Sequence, residues 1–162
     1  MGPTSPNPAP PTLLGLHTYL LSLTGKAARG RLSDRLASRG LRLWHMAVLA
    51  ALADFGPHTQ RDLCARLSVD PSDMAKIVEQ LAGFGQIERT RDPADRRRVS
   101  VGLTDTGRRA LTELVGEARA VQDEMLAPLT GDERAQLHSF LLKVFTAGPG
   151  AGTGARADQG RA

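Results

Sequence analysis

Along the first half of the chain, apolar residues recur at helical spacing. Leu13, Leu16, Leu20 and Leu23, followed by Leu32 and Leu36, predict one long helix over 13–38. Residues 41–54, LRLWHMAVLAALAD, are apolar almost all round, which predicts a buried second helix stopped at Phe55-Gly56-Pro57. Thr59, with Asp62 three residues on, is the N-cap of a third helix. Asp70 as cap and Pro71 at the first helical position open a fourth, and Gly83 and Gly85 stop it. Met74, Ile77, Val78 and Leu81 fall on one face of that helix, leaving Ser72, Asp73, Lys76, Glu79 and Gln80 outward. The period then changes to two. QIERTR (86–91) and RRVSVGL (97–103) read as short strands joined by the turn residues DPAD (92–95). Thr104 caps a fifth helix, about 105–127, closed by Pro128. The capping box TGDE (130–133) opens a last helix running to about Phe145.

The ends differ in composition. Residues 1–12, MGPTSPNPAPPT, are Pro-rich and expected to be disordered, as is the Gly/Ala-rich tail 147–162, where Arg156 and Arg161 lie. The whole chain, 162 residues with 41% apolar side chains, suits one domain, and the scarcity of aromatics makes its core Leu, Val and Ala. Cys64 is the single cysteine, so no disulfide forms within the chain and a reducing, cytoplasmic setting is expected. In the third helix it reads as an inert packing residue. The apolar run 13–23 is too short to span a membrane and lacks a preceding basic region, so neither a membrane partner nor a signal peptide is expected.

Charge narrows the function further. The formal charge is +4 and arginines outnumber lysines 18 to 3. A pI near 10.0 permits an anionic partner, and arginine suits bidentate contacts to phosphate and guanine. No Gly-rich phosphate loop or nucleophile elbow is present, and His17, His45, His58 and His138 show no metal-ligand spacing. Asp92 and Asp95 form a carboxylate pair, but among arginines on an exposed turn they are expected to stay ionised. Neither catalysis, cofactor nor metal is expected.

The element order (two helices, a helix-turn-helix, a basic hairpin and two more helices) defines a fold class. It is mainly α with a small β-hairpin wing, a winged helix-turn-helix flanked by N- and C-terminal helices. The fourth helix would enter the major groove of double-stranded DNA and the wing an adjacent groove. Ser72, in the first turn, is placed to meet a phosphate. Asp73, Lys76 and Gln80 are candidates for base edges, and Thr59 and Gln60 for phosphates. Strand alternation is expected to divide Arg89, Arg91, Arg96 and Arg98 between the two faces of the hairpin, some on phosphate and others facing water or Asp92.

The stretch 59–107 carries a more specific signal. Asp92, Asp95 and Arg97, followed by Leu103, Thr104 and Gly107, meet the pattern D-x-x-D-x-R then L-T-x-x-G, and the chain resembles the MarR family of transcriptional regulators. The resemblance implies a MarR-type domain over 13–146, with a DNA-binding lobe at about 41–103 and dimerisation helices at about 13–38 and 105–146. It implies a homodimer on a pseudo-palindromic operator, usually a repressor, often released by a small anionic or phenolic ligand. By the family pattern Asp95 orients Arg97, and a guanidinium held by paired hydrogen bonds would enter a narrow minor groove with less loss of entropy. The ligand cleft of the family lies between the dimer layer and the lobe, where His17, Tyr19, Trp44 and His45 are the pocket candidates, with core packing as the alternative. Charges of both signs on the fourth helix leave a second reading open, an architectural or interaction module of low sequence specificity.

Overall fold

The apolar periodicity becomes a helical framework around a small sheet in a computed structural model that describes residues 9–148. Helix α1 (Pro11–Leu14) and helix α2 (His17–Ala37) replace the single helix expected over 13–38. The break falls at Gly15 and Leu16, where Leu16 takes an extended conformation. Of the expected disordered ends, 1–8 and 149–162 lie outside the described residues, Arg156 and Arg161 among them. Pro11 and Thr12 are helical, as is Ala147.

Helix α3 (Leu43–Phe55) is the central element. Val48, Leu49 and Leu52 on it are essentially fully buried. A short strand β1 (His58–Thr59), not foreseen from the pattern, follows directly. Helix α4 (Gln60–Leu67) starts from the expected capping box, with Thr59 Oγ1 accepting from the Asp62 N–H at 3.1 Å. Ser68, in the left-handed region at φ 52°, ends it and turns the chain into helix α5 (Pro71–Gly83). Met74, Ile77, Val78 and Leu81 are all buried, as their spacing requires.

Strands β2 (Ile87–Arg91) and β3 (Val99–Leu103) form the antiparallel hairpin. β3 is the middle strand, since β1 pairs with its other edge through His58–Val101 and Thr59–Ser100. Helix α6 (Asp105–Met125) then runs back along α2 and α3, ending before Pro128. Helix α7 (Gly131–Ala147) follows from the Thr130–Glu133 capping box.

One joint fixes the wing to the rest. Thr104 Oγ1 donates to the Gly85 carbonyl at 2.7 Å and accepts from Gly107 N–H at 3.0 Å, while Thr104 N–H donates to the Gln86 carbonyl. Gly107 is buried against that carbonyl, and a Cβ there would sit 2.0 Å from the Gln86 oxygen. The obstacle is backbone and cannot rotate away. Gly107→Ala is therefore expected to destabilise the fold by roughly 1–3 kcal/mol, the usual overpacking cost, despite alanine's better helix propensity. Thermal denaturation checks this, and an unchanged or raised midpoint would refute the close approach.

Ion pairs bind α2 to α6. Arg35 pairs with Glu117 and Glu124, and Arg39 with Glu113 and Glu117. Hydrogen bonds from Arg39 and Arg35 hold the Glu117 carboxyl below its ordinary value. Such a group stabilises the folded state above its unfolded pKa and loses that contribution as the pH falls through its lowered folded value. Asp62, held down by the Thr59 hydroxyl, and Asp70, held down by Ser72, act in the same direction. The melting temperature is expected to fall on acidification below about pH 4, the ordinary carboxylate range. Glu117→Gln should flatten that acid limb, which melting curves across a pH series will measure.

Candidate nucleic-acid interface

The outward face of α5 is polar, and its side chains are already engaged with one another. Asp70 Oδ1 accepts from both the backbone N–H and the hydroxyl of Ser72, at 2.8 and 2.6 Å. The Ser72 proton is thus committed to the cap, leaving its oxygen as an acceptor. Lys76 Nζ lies 3.6 Å from Asp73 Oδ1, an exposed pair one turn apart. Gln80, expected to share their outward face, turns its side-chain oxygen to His45 Nε2 at 2.7 Å. Thr59, expected on phosphate, spends its hydroxyl on Asp62 in the capping box. Gln60, the first residue of α4, is half-buried.

The wing differs from its sequence reading in two ways. The strand expected from 97 begins at Val99, so Arg96, Arg97 and Arg98 sit in a loop over 92–98 rather than alternating along a strand. Arg89 and Arg91 are two residues apart and lie on one sheet face, opposite Val101 and Val99. They are not divided between the faces. The second difference concerns Asp95. Its Oδ1 accepts from the backbone N–H of Arg97 at 3.0 Å, and no ion pair joins it to a guanidinium among the described residues. Asp92 does the same for Ala94 N–H at 2.8 Å. Backbone bonds from Asp92 N–H to Arg98 O and from Arg98 N–H to Asp95 O close the loop. The aspartates therefore shape the backbone that carries the arginines.

Among the described residues none of Arg89, Arg91, Arg96, Arg97 and Arg98 forms an ion pair, and all are exposed. Their charge is left for an external anion. Arg98 acts at longer range, helping to lower the Asp62 carboxyl after the larger effect of Thr59.

A second feature lies on the far side of the lobe. A groove of about 1520 Å³ opens between α2, the start of α3, and the ends of α6 and α7. His17 and Trp44 line it as expected, but Tyr19 and His45 do not. His45 is 1% exposed and points instead between α3 and α5. Arg29 and Arg42 also line the groove. The sequence offered no sign of these two cations, because only folding brings 29, on α2, and 42, just before α3, to one groove. Cys64 is half-buried against the core rather than enclosed. Burial, then the Asp70 charge, pushes its thiol up and away from the reactive thiolate. No group of three or more His, Cys, Asp or Glu able to hold a metal occurs among the described residues.

A recognition helix, a three-stranded sheet and an arginine-bearing wing define a winged helix-turn-helix protein. A family model described as MarR family matches residues 43–99. A regulator from Mycobacterium bovis, Mb0904, is 33% identical over 107 residues, covering 66% of this chain and 72% of its own. The chain belongs to the MarR family. The repressor NicR of Pseudomonas putida is 33% identical over 105 residues, 65% of this chain, and the match spans 66% of NicR's own length. Among solved structures, a cysteine-to-serine mutant of E. coli MarR complexed with operator DNA superposes with a TM-score of 0.62 at 26% identity, covering 78% of this chain and 91% of that one. Bordetella bronchiseptica BpsR, whose DNA binding is regulated by 6-hydroxynicotinic acid, superposes with a TM-score of 0.64 at 25% identity, covering 85% and 96%.

No helix among the described residues is long and apolar enough to cross a membrane.

Proposed function

We propose that the protein is a homodimeric repressor that binds a pseudo-palindromic operator and is released by a small organic anion. The observation that carries the DNA-binding part is the wing, a backbone-locked loop presenting arginines that have no acidic partner among the described residues. In this reading α5 enters the major groove, and Arg97 and its neighbours reach the adjacent minor groove or phosphates. The relatives named as repressors, and the MarR structure with operator DNA, support it.

The dimer rests on the ends of the chain. Helix α7 buries none of its residues within its own chain, and Phe140, Val144 and Phe145 stand 62–65% exposed. Leu16, Leu20, Leu21 and Leu23 present a second bare apolar stretch. Surfaces of this kind are covered in a stable assembly. Two copies joined there double the formal charge of +4 and place two lobes for half-sites about one helical turn, ~34–36 Å, apart. The groove, apolar but with Arg29, Arg42 and His17 on its walls against a single carboxylate, Asp34, suits an aromatic or aliphatic body with an anionic end.

Fluorescence anisotropy with DNA from upstream of the protein's own gene, against random DNA over a salt series, tests this. A preference of about 10³ or more with a steep salt slope is the expected result. Equal binding to both DNAs would favour the second reading, an architectural module of low specificity. The mutual neutralisation of Asp73 and Lys76 on α5 is the observation in its favour.

A further inference from the structure

We infer that His45 is a positioning residue which fixes the hydrogen-bond polarity of Gln80, so that the recognition helix offers DNA the donor end of that carboxamide in preference to its acceptor. The inference rests on the reading of α5 as a DNA-contacting helix.

The reasoning starts at a backbone group. His45 Nδ1 lies 2.9 Å from the Arg42 amide nitrogen, and that N–H can only donate. Nδ1 is therefore the accepting nitrogen, and the ring proton resides on Nε2. Nε2–H points at Gln80, and the atom that meets it at 2.7 Å must accept, so it is the side-chain oxygen. The orientation of the amide thus follows from chemistry at Arg42, two bonds away through the imidazole. The ring cannot easily choose otherwise. It is 1% exposed, its Nε2 meets Gln80 of α5, and the other tautomer, with its proton on Nδ1, would leave the Arg42 N–H facing another donor.

With its oxygen held inward, Gln80 is left with its NH2 group. The residue remains exposed, on the third turn of α5 and four residues beyond Lys76. A free glutamine can pair bidentately with adenine, giving a proton to N7 and accepting one from the N6 amino group. Gln80 makes the second bond poorly, because its oxygen is turned toward the buried His45 and has already spent one of its two lone pairs there. It can give two protons to the O6 and N7 of guanine. His45, though buried and remote from DNA, would then decide which purine the third turn of the helix accepts.

Two measurements on the full chain test this. The first selects binding sites from a randomised double-stranded DNA pool with wild type, Gln80→Ala and His45→Phe. The wild type is expected to yield a half-site position where guanine outnumbers adenine roughly tenfold or more. Gln80→Ala should erase that preference. His45→Phe, which keeps a ring but removes the donor, should let adenine rise there, while positions read by the wing keep their preferences. A merely structural role would weaken all positions together. A Gln80-dependent position that favours adenine in the wild type overturns the inference. So does a folded His45→Phe with unaltered preferences, or a Gln80→Ala that changes none. The second measurement needs neither DNA nor a variant. Long-range nitrogen–proton NMR correlations of the His45 ring should place its proton on Nε2, with Nδ1 bare; a proton on Nδ1 overturns the inference. A wild type that selects no motif, with the Nε2 proton in place, would count against the DNA-contacting reading of α5 rather than against the His45–Gln80 geometry.

Discussion

Arg97→Ala is expected to weaken binding to the operator by roughly 100-fold, at about 1–1.5 kcal/mol for each of two wings. The wing loop is closed by backbone bonds between residues 92 and 98, and Asp95 pins the Arg97 amide, so the guanidinium is carried by a shaped loop without being held itself. Among the described residues it has no carboxylate partner to give up before meeting DNA. Removing one charge from each wing should also lower the slope of log affinity against log salt by about 1.8, if each arginine displaces one counterion. Asp95→Ala provides the contrast. It loosens the loop but removes no cation, so affinity should fall less and the salt slope should not decrease. An Arg97→Ala protein with wild-type affinity and slope would take the wing out of the groove.

Phe140→Asp is expected to convert the proposed dimer to a monomer and, with it, to abolish tight operator binding. Phe140 stands 62% exposed on a helix with no fully buried residue, and it lines the groove together with Leu20, Leu21 and Val144. An aspartate there would have to be desolvated opposite an apolar partner face, a penalty of several kcal/mol per ion and present twice in a two-fold interface. Light scattering should report a mass falling from twice 17.3 kDa to 17.3 kDa. The helical signal in circular dichroism should be largely kept, because the lobe core around Leu49, Leu63 and Met74 is made within one chain. Phe84→Asp, at an exposed aromatic just after α5, should leave the mass unchanged. A Phe140→Asp protein that stays dimeric would place the interface elsewhere.

The elements were legible because their signals are local. Periodicity placed the buried face of α5 residue by residue, and the Thr59 and Thr130 capping boxes lie where a hydroxyl and an acid three residues apart require them. The strands were legible to within two residues. The errors also have local causes. Gly15 was read through because flanking leucines kept helical spacing across it. Strand β1 was invisible because two residues carry no period, and only pairing with β3 makes them a strand.

The class of protein was readable from an apolar framework, a polar-faced second helix of the turn motif and a hairpin loaded with arginine. Those properties depend on neighbours within a few residues, where backbone geometry dictates who shares a face. What each side chain is free to do depends on partners that folding brings from elsewhere in the chain. Gln80 looked like any outward glutamine until folding brought it to His45, 35 positions earlier. Arg35 and Arg39 became a bridge only once α6 lay alongside α2. Asp95 was expected to orient a guanidinium and instead holds an amide, since a bond to a backbone two residues away costs less chain entropy than one to a long, solvated side chain. Hydrogen bonds and ion pairs require partners at about 3 Å, and a partner remote in sequence arrives at that distance only when the chain is folded.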